Sequence, residues 1–489
     1  MMLLWLIIVL IAGGLLAWFT ARWSPLLSRC ISLAAVLIDL GITLYLMMQG
    51  FGGAGMNAWF EQVDWNWIPE LGIHFHLAMD GLSLLLTLLA CFLGLVAIII
   101  SWRSIPKALG FYHLNLLWIL AGIIGVFLSL DLFLFYFSWE LMLIPMYFLI
   151  AIWGRERRAY ASVKFFLFTQ LSGLFMLIAI LALYFAHHQA TGVYTFEYLE
   201  LLGTPLSAHT AMWIMVGFFV AFAVKLPVFP FHTWLPDACA EATTATNVIL
   251  AGLLATTAAY GMIRFLYPLF PNATRSFAPV AVTLAVIAIL YGAILAFSQT
   301  NLMRLLAYAS ISHLGFVLLG IFSGTTIALE GVAVTLIAHG LSTSALFIVA
   351  GALEDRLGTR DIEAMGGLWD TIPRLSGAGL FFALASLGLP GLGDFIGEFL
   401  ILLGTFHVYM IATIIAACGV LAATFYALRF VQRAFQGPKL PDLQLPDIAA
   451  REALTLGAMI VLLLWLGFYP QPVFHAFSQA ANHLPALWR

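Results

Sequence analysis

The sequence predicts an all-α polytopic membrane protein that forms a single transmembrane domain over residues 1–489. Three observations predict it. Hydrophobic residues make up 63% of the chain, charged residues only 9%, and apolar runs of about 20 residues recur throughout, the length a helix needs to cross a bilayer. Soluble domains carry roughly 25% charged residues. The net charge is −3, and without a basic cluster it gives no indication of a nucleic-acid partner.

Fourteen apolar runs, each bounded by charge, proline or glycine, are interpreted as membrane spans. We expect the first to be a retained span, because it lacks a basic stretch before it and a small-residue cleavage site after it. The longest loops, at 50–76, 186–210, 353–375 and 433–452, are too short for a second domain. The spans cover roughly 2–20, 31–49, 77–101, 111–130, 132–152, 161–185, 211–231, 246–267, 278–299, 303–322, 328–352, 376–404 with a break, 408–432 and 453–469.

The distribution of basic residues predicts the orientation. With the N-terminus outside, 16 of the 20 lysines and arginines fall in loops and helix ends on the inner side. Loops 50–76 and 186–210 contain none. The positive-inside rule therefore predicts that both termini face the outside, which is the periplasm for a bacterial inner membrane.

A buried cation beside a helix break is the most informative feature of the seventh span. Lys225 follows more than a dozen apolar residues, and Pro227 and Pro230 come directly after it. An ammonium at the centre of a bilayer costs roughly 2.5–3.5 kcal/mol, and a proline inside a helix removes a backbone hydrogen bond. Broken membrane helices line cavities or ion sites. The pattern favours a functional lysine over one that snorkels to the surface.

A second break is predicted at 387–394, where two glycines flank Pro390, and Glu398 follows it in an apolar run. The two breaks, around Pro227 and Pro390, lie five predicted spans apart. Because an odd offset inverts the topology, interrupted helices at matching positions indicate an inverted-repeat transporter.

Further polar residues interrupt other spans. Glu140 needs a partner or water inside a membrane, and Lys225 is the natural candidate; the alternative is a protonated, hydrogen-bonded structural glutamate. His313 and His339 lie on neighbouring spans and suit a proton relay, since histidine titrates near physiological pH. The alternative for both is a satisfied packing residue.

Two aspartates lie in or beside apolar runs. Asp80 is placed to cap the third helix, whereas no partner for Asp39 is evident from the sequence.

The cysteines are scattered along the chain and do not have the spacing of metal ligands, so no zinc or iron–sulfur site is expected in this chain. They are Cys30, Cys91, Cys239 and Cys418.

The combination of motifs resembles one protein family along nearly the whole chain. The motifs are Phe137-Ser138-Trp139-Glu140, Val224-Lys225-Leu226-Pro227, His232-Thr233-Trp234-Leu235-Pro236-Asp237, Ser312-His313-Leu314-Gly315, Ala338-His339-Gly340, Gly397-Glu398-Phe399 and Gly467-Phe468-Tyr469-Pro470. They resemble the antiporter-like membrane subunits of proton-pumping NADH:quinone oxidoreductase, respiratory complex I. The length and the ending are similar to the M chains and not to the longer L chains.

The resemblance implies a 14-helix fold with two inverted five-helix repeats, helices 4–8 over 111–267 and helices 9–13 over 278–432. It implies a proton-translocating subunit driven by redox chemistry in other subunits. No cofactor is expected in this chain, whereas flavin mononucleotide, iron–sulfur clusters and quinone belong to partner subunits. L-like and N-like antiporter chains are the expected neighbours, with lipid around them.

The resemblance also implies roles for the buried polar residues. Glu140 and Lys225 would form an ion pair toward the inner side. His313 and His339 would belong to a central polar axis, and Glu398 would serve the outer half-channel.

The chain departs from the family at the centre of this axis. A lysine usually follows the Leu-Ala-Gly stretch, and Thr256 occupies its position. Stretches 239–244 and 299–304 also lack usual family residues. Thr256 and Tyr260 share a helix face that could anchor water, which leaves His339, with His313 beside it, as the expected titratable group between Lys225 and Glu398.

Two other functions remain open from the sequence. One is a Mrp-type cation/proton antiporter or a hydrogenase-linked membrane subunit, since such chains share the Lys-x-Pro and Glu signatures. The other is a structural spacer that no longer pumps, for which the lost lysine at Thr256 is the support.

Overall fold

The computed structural model describes residues 1–52, 59–438 and 444–481. Within these ranges, 13 helical segments are long and apolar enough to cross a membrane. A further crossing consists of two 14-residue helices on either side of a break, which brings the number to the predicted 14. The all-α membrane fold is therefore confirmed.

The helices of the first part of the chain include several short segments. In order they are α1 Met2–Thr20, α2 Pro25–Gly52, α3 Gly81–Ser101, α4 Leu109–Leu128, α5 Leu132–Leu141, α6 Leu143–Trp153, α7 Arg158–Thr191, α8 Tyr198–Leu201, α9 Ala208–Lys225, α10 Trp234–Glu241, α11 Thr244–Gly252, α12 Leu254–Gly261 and α13 Tyr267–Leu269.

The helices of the second part are longer and include the second broken span. They are α14 Pro271–Ser298, α15 Leu302–Ser323, α16 Thr326–Leu357, α17 Leu368–Thr371, α18 Pro373–Ser386, α19 Gly393–Phe406, α20 Met410–Val431, α21 Ala450–Phe468 and α22 Gln471–Ala481.

The interior of the bundle is formed by α4, α11 to α13, α15 and α16, whose residues are almost all buried. In the helices around them, such as α1, α2, α20 and α21, only about a third of the residues are buried. Exposed apolar side chains suit contact with lipid or with other subunits, whereas a helix that is buried on all sides can carry polar groups toward its neighbours.

A β-hairpin occupies part of the predicted loop 50–76, and hydropathy did not predict it. Strands β1 Glu61–Ile68 and β2 Ile73–Met79 pair antiparallel. The apolar end of β2 continues directly into the third span, which is why the predicted span 77–101 began too early. The helix begins at Gly81, and Asp80 caps it as predicted: its carboxylate accepts from the Ser83 N–H at 2.9 Å.

Both predicted helix breaks are present. Helix α9 ends at Lys225, and the chain resumes regular α-helix at Trp234. Helices α18 and α19 are separated by residues 387–392. Glycines at positive φ, Gly388 at 82° and Gly391 at 96°, make the second turn, because left-handed backbone is favourable only without a side chain.

Two further interruptions were missed by the sequence analysis. The fifth span is divided at Met142, between α5 and α6. The eighth span is divided at Leu253 and contains a π-helical turn over Met262–Leu266. Such turns are frequent at functional sites. Pro145 marks the first interruption in the sequence, because it has no N–H to donate to the Leu141 carbonyl one turn earlier. No proline lies between Thr244 and Leu266 to mark the second.

Candidate functional site

The first site is built around Lys225 at the end of α9. Its side chain is only 4% exposed, and Nζ lies 3.6 Å from the centroid of the Trp139 ring. Because Pro227 lacks an N–H, the local hydrogen bonding is rearranged: the Val224 carbonyl accepts from the Trp234 indole at 2.8 Å. A desolvated cation–π contact is worth about 2 kcal/mol or more, so the Trp139 ring offsets part of the cost of burying the ammonium.

Glu140 lies beside this cation but does not touch it. The two charges interact electrostatically, yet none of the ion pairs within 4.0 Å among the described residues joins them. The direct ion pair implied by the family resemblance is therefore absent in this conformation. The Glu140 carboxylate is half-buried against Gly173 of α7, where any Cβ would collide with its oxygen. Gly173 thus provides the space that the carboxylate occupies.

The second site joins three predicted residues of the other broken span into one hydrogen-bonded cluster. His313 Nδ1 lies 2.6 Å from Glu398 Oε1, and both side chains are buried. His313 Nε2 faces two hydroxyls, Tyr426 at 2.9 Å and Ser386 at 3.1 Å. The sequence analysis assigned His313 and Glu398 to separate parts of the path, whereas here they are in direct contact.

His339 continues this cluster toward the interior, with its ring centroid 5.9 Å from that of His313. Its Nε2 lies 2.9 Å from the Ser310 hydroxyl and its Nδ1 3.1 Å from the Thr343 hydroxyl. A hydroxyl both donates and accepts. His339 can therefore gain or lose a proton while both ring nitrogens keep a hydrogen-bond partner.

Asp394 was not singled out as a site residue by the sequence analysis, although it closes the predicted break. It is buried, and its Oδ1 accepts a hydrogen bond from Ser342 at 2.8 Å. Its Oδ2 has no hydrogen-bond partner among the described residues. Together with Tyr426 and Ser386 it completes the second cluster. Asp394 could have been found from the sequence, because it is an acidic residue in an apolar span directly after the Pro390 break, whereas Tyr426 and Ser386 carry no such signal.

Thr256 occupies a buried position between the two sites. Its hydroxyl donates to the Leu253 carbonyl of its own helix at 2.6 Å. The Tyr260 hydroxyl on the same face donates to the Phe127 carbonyl at 2.8 Å. The donor capacity of both groups is used within the protein, and the Tyr260 hydroxyl also accepts from Arg264 Nε at 3.2 Å. The acceptor site of Thr256 therefore remains for the water predicted there.

A buried ion pair lies beyond the C-terminal end of this helix. Arg264 is 2% exposed and pairs with the carboxylate of Asp80. Tyr260 accepts from its Nε at 3.2 Å. Hydropathy could not predict the pair because its members are 184 residues apart in the sequence.

A second set of ion pairs holds the segment after the first break. Asp237 of α10 accepts from Lys164 of α7 at 2.7 Å and pairs with Arg304 of α15. One carboxylate therefore ties the helix that follows the Lys225 break to helices on both sides of it.

The hairpin is anchored to the neighbouring helix ends by acidic side chains. Asp131 accepts from the backbone N–H groups of His74 at 3.0 Å and Phe133 at 2.8 Å. Burial raises the pKa of Asp131 to about 6. Burial alone would lower the pKa of His76, but Glu197, whose Oε1 lies 2.9 Å from Nδ1, outweighs burial and raises it. These contacts fix the start of α5, which carries Glu140.

Asp39, the remaining residue singled out in the sequence analysis, has an isolated side chain. Asp39 is fully buried in α2, and its two carboxylate oxygens have no hydrogen-bond partner in the described part of the chain. Over the same residues, no group of three or more His, Cys, Asp and Glu side chains is arranged to hold a metal ion.

Residues 129–425 match the transmembrane family described as NADH:quinone oxidoreductase/Mrp antiporter. NADH-quinone oxidoreductase subunit M of Pseudomonas aeruginosa is 52% identical, over 100% of this chain and 98% of that protein. The chain belongs to the subunit M family of NADH-quinone oxidoreductases. Subunit M of Escherichia coli K12 is 49% identical over 99% of this chain and 97% of that protein.

A solved structure supports the same assignment. A chain of respiratory complex I from Thermus thermophilus with bound NADH superposes with a TM-score of 0.87 at 30% identity, over 100% of both chains. Membership in this family makes the chain a proton-translocating subunit of the membrane arm. Mrp antiporters match the same family description and are relatives of this chain.

We predict that Asp80→Asn destabilises the chain by about 3–5 kcal/mol, because it leaves Arg264 buried without a counter-charge. Adding Arg264→Met should restore most of the loss, since the pair is then removed as a unit. Thermal melting of the purified complex and the amount of the chain retained in it measure the effect. Glu70→Gln, at an exposed position, is the control; an Asp80→Asn melt that matches it would contradict the prediction.

Proposed function

We propose that this chain moves protons across the bacterial inner membrane as part of an NADH:quinone oxidoreductase, through Lys225 and Glu140 on the inner side and His313, His339 and Glu398 toward the outer side. The observation that carries the proposal is that each broken helix coincides with buried titratable groups. A charge at this depth is expensive, and broken helices in transporters mark ion sites.

The first site works by changing the environment of one cation. When the Glu140 carboxylate approaches Lys225, its charge stabilises the ammonium and the lysine keeps its proton. When Glu140 withdraws, only the Trp139 ring remains, and the buried lysine releases its proton. Moving one charge against 100 mV costs about 2.3 kcal/mol, and a change of two pKa units supplies roughly 2.7 kcal/mol. The gap between the two residues gives Glu140 room for this movement.

The second site passes the proton outward. Hydroxyls on both ring nitrogens let His339 take up and release a proton, and its ring lies beside that of His313. His313 hands the proton to Glu398 through their direct contact. Glu398 follows the second break in α19, so in the proposed orientation it serves the outer half of the span.

Thr256 takes the position of the family's central lysine and serves as an uncharged acceptor for water. His339 is then the main titratable group between Lys225 and Glu398. If His339 proves dispensable, the chain is a structural spacer, the alternative that the loss of the lysine supports.

The redox chemistry and its centres are assigned to partner subunits. In this proposal flavin mononucleotide, the iron–sulfur clusters and quinone lie outside this chain, and L-like and N-like chains are its neighbours in the membrane arm.

The proposal also includes the repeats and the topology of the chain. The inverted repeats run over 111–267 and 278–432. Both termini face the periplasm; Lys439 and Arg489, which contributed to the orientation argument, lie outside the described residues.

We predict that Lys225→Ala lowers the proton-to-electron ratio of the assembled complex by the whole share of this chain, because no group remains to carry the inner charge. Glu140→Gln should act similarly, and the double variant should lose no more than Lys225→Ala alone, since the two residues work as a unit. Lys107→Ala, at an exposed lysine, is the matched control. An unchanged ratio in Lys225→Ala with normal assembly would overturn the role of Lys225.

The orientation is tested by cysteine labelling. In a background without Cys30 and Cys418, a membrane-impermeant thiol reagent should reach Arg157→Cys from the inner face only and Val193→Cys from the outer face only. Both positions are exposed. Labelling of both from one face would contradict the predicted topology.

A further inference from the structure

The β-hairpin, the start of α5 and the segment after α7 meet in one layer of hydrogen-bonded backbone. The Leu130 N–H donates to the His76 carbonyl of β2 at 3.0 Å, and the Leu132 N–H donates to the Phe196 carbonyl at 2.9 Å. The residues that lead into α5 are therefore held by the hairpin on one side and by the segment after α7 on the other. We call this layer the hairpin junction; it comprises residues 74–76, 130–132 and 196–198.

A buried histidine and a buried glutamate face each other in the hairpin junction. Glu197 is buried, and the only cationic group within 4.0 Å of its carboxylate in the described part of the chain is His76, whose Nδ1 lies 2.9 Å from Oε1. A buried carboxylate without a counter-charge is costly. Protonation of His76 supplies that charge, so the pair is stable when the histidine holds a proton.

Asp131, the cap of α5, is the second buried acid of the junction. Its Oδ1 accepts from the Phe133 and Leu134 N–H groups of α5, and its Oδ2 accepts from the His74 N–H of β2 at 3.0 Å. Asp131 is also paired with Glu197 across a β-bridge. Two like charges at one site favour the uptake of a proton by one of them. The carboxylate that joins α5 to the hairpin is thus itself sensitive to protons.

The first strand completes the surroundings of His76. Asp64 of β1 adds negative charge near His76 and lies 3.0 Å from His74 Nδ1. The amide nitrogen of Gln62 lies 2.8 Å from His76 Nε2, and an amide offers either a donor or an acceptor, so it suits both protonation states of the ring. Among the described residues no lysine or arginine pairs with these acids. A proton is therefore the cation that fits this cluster.

The two central groups respond to pH in the same direction. Burial alone would lower the pKa of His76, but Glu197 outweighs burial and raises it. Burial, assisted by Glu197, raises the pKa of Asp131 to about 6. A group whose pKa is higher in the folded chain than in the unfolded chain stabilises the fold when it is protonated. Acidification therefore tightens the junction, and the stabilisation is lost as the pH rises through the pKa of Asp131 and the raised pKa of His76.

We propose that His76, Glu197 and Asp131 form a proton-binding site that clamps the start of α5 when the compartment on the hairpin side becomes acidic. In the proposed orientation this compartment is the periplasm, into which the complex delivers its protons. Glu140 lies at the other end of α5. A clamped α5 restrains the movement of Glu140, so the site slows pumping as the periplasm acidifies.

This inference rests on the proposed function, because it uses both the proposed orientation and the movement of Glu140. It adds a regulatory site that lies outside the membrane spans and uses neither Lys225 nor the cluster around His313. The proton binds reversibly between a histidine and two carboxylates, and no other reactant takes part.

The tightening is measured by amide hydrogen exchange in the assembled native complex, since local opening of the backbone limits exchange. With the pH dependence of the chemical exchange rate divided out, peptides over 129–133 and 195–198 should exchange slower by about threefold or more near pH 5.5 than near pH 8. His76→Gln should abolish most of this difference. His209→Gln, at an exposed histidine outside the junction, should leave it unchanged. Equal corrected exchange at the two pH values in the native complex would overturn the proposal.

The effect on pumping is measured in proteoliposomes whose lumen faces the hairpin side, with the pH on the NADH side held constant. Lowering the pH of the lumen slows every variant because the proton gradient opposes pumping. His76→Gln should slow less than the native complex, by about twofold or more in the ratio of the rates at the two lumen pH values, and His209→Gln should slow as much as the native complex does. A His76→Gln complex that assembles and slows as much as the native one would show that the site does not control pumping.

The clamp and the proposed function fail in different ways. If Lys225→Ala stops pumping while exchange at the junction is independent of pH, only the clamp is wrong. If Lys225→Ala pumps normally, the proposed function is wrong, whatever the exchange rates at the junction are.

Discussion

The arrangement of the helices in this protein depends on the free-energy cost of placing in a membrane either a charge or a backbone group without a hydrogen-bond partner. Each polar feature of the spans is enclosed by protein: Lys225 by the Trp139 ring, Arg264 by Asp80, and His313 by Glu398 and two hydroxyls. Arg264 and His313 lie on spans whose residues are almost all buried, whereas about half of the residues of α9, which carries Lys225, are buried. Where a proline frees a backbone carbonyl, as at Val224, an indole N–H occupies it.

The two broken spans stabilise their buried charged groups in different ways, and each way suits a different step of proton transfer. At the first break the cation and the carboxylate are close enough to interact but not in contact, so a small movement of Glu140 changes the charge that Lys225 can hold. At the second break His313 and Glu398 touch, and hydroxyls occupy both nitrogens of His339. In the proposed function, the first arrangement responds to movement, whereas the second transfers a proton over short hydrogen bonds. Asp237, which ties α10 to Lys164 and Arg304, connects the segment after the first break to the second half of the chain.

Much of this organisation could be predicted from the sequence, because hydropathy, prolines and isolated charges are local signals. They placed the spans, both breaks and the residues beside them, including the cap at Asp80. Contacts between distant parts of the chain carry no such signal. The partnership of Asp80 with Arg264, the hydroxyls of Tyr426 and Ser386 around His313, and the distance between Glu140 and Lys225 all depend on tertiary packing. The hairpin was missed because the apolar end of β2 is continuous with the third span. The interruption at Met142 was missed although Pro145, which cannot donate to the Leu141 carbonyl, is a local signal for it.

The most direct test concerns the middle of the proposed path, where Thr256 stands at the position expected for a lysine and His339 is the proposed titratable group. The measurement is the proton-to-electron ratio of the assembled complex that carries either His339→Ala or Thr256→Lys. If His339 carries the proton between the two sites, His339→Ala lowers the ratio by the share of this chain and Thr256→Lys does not raise it. An unchanged ratio in His339→Ala together with a raised ratio in Thr256→Lys would show that the native chain is a spacer, and it would contradict the proton path described above.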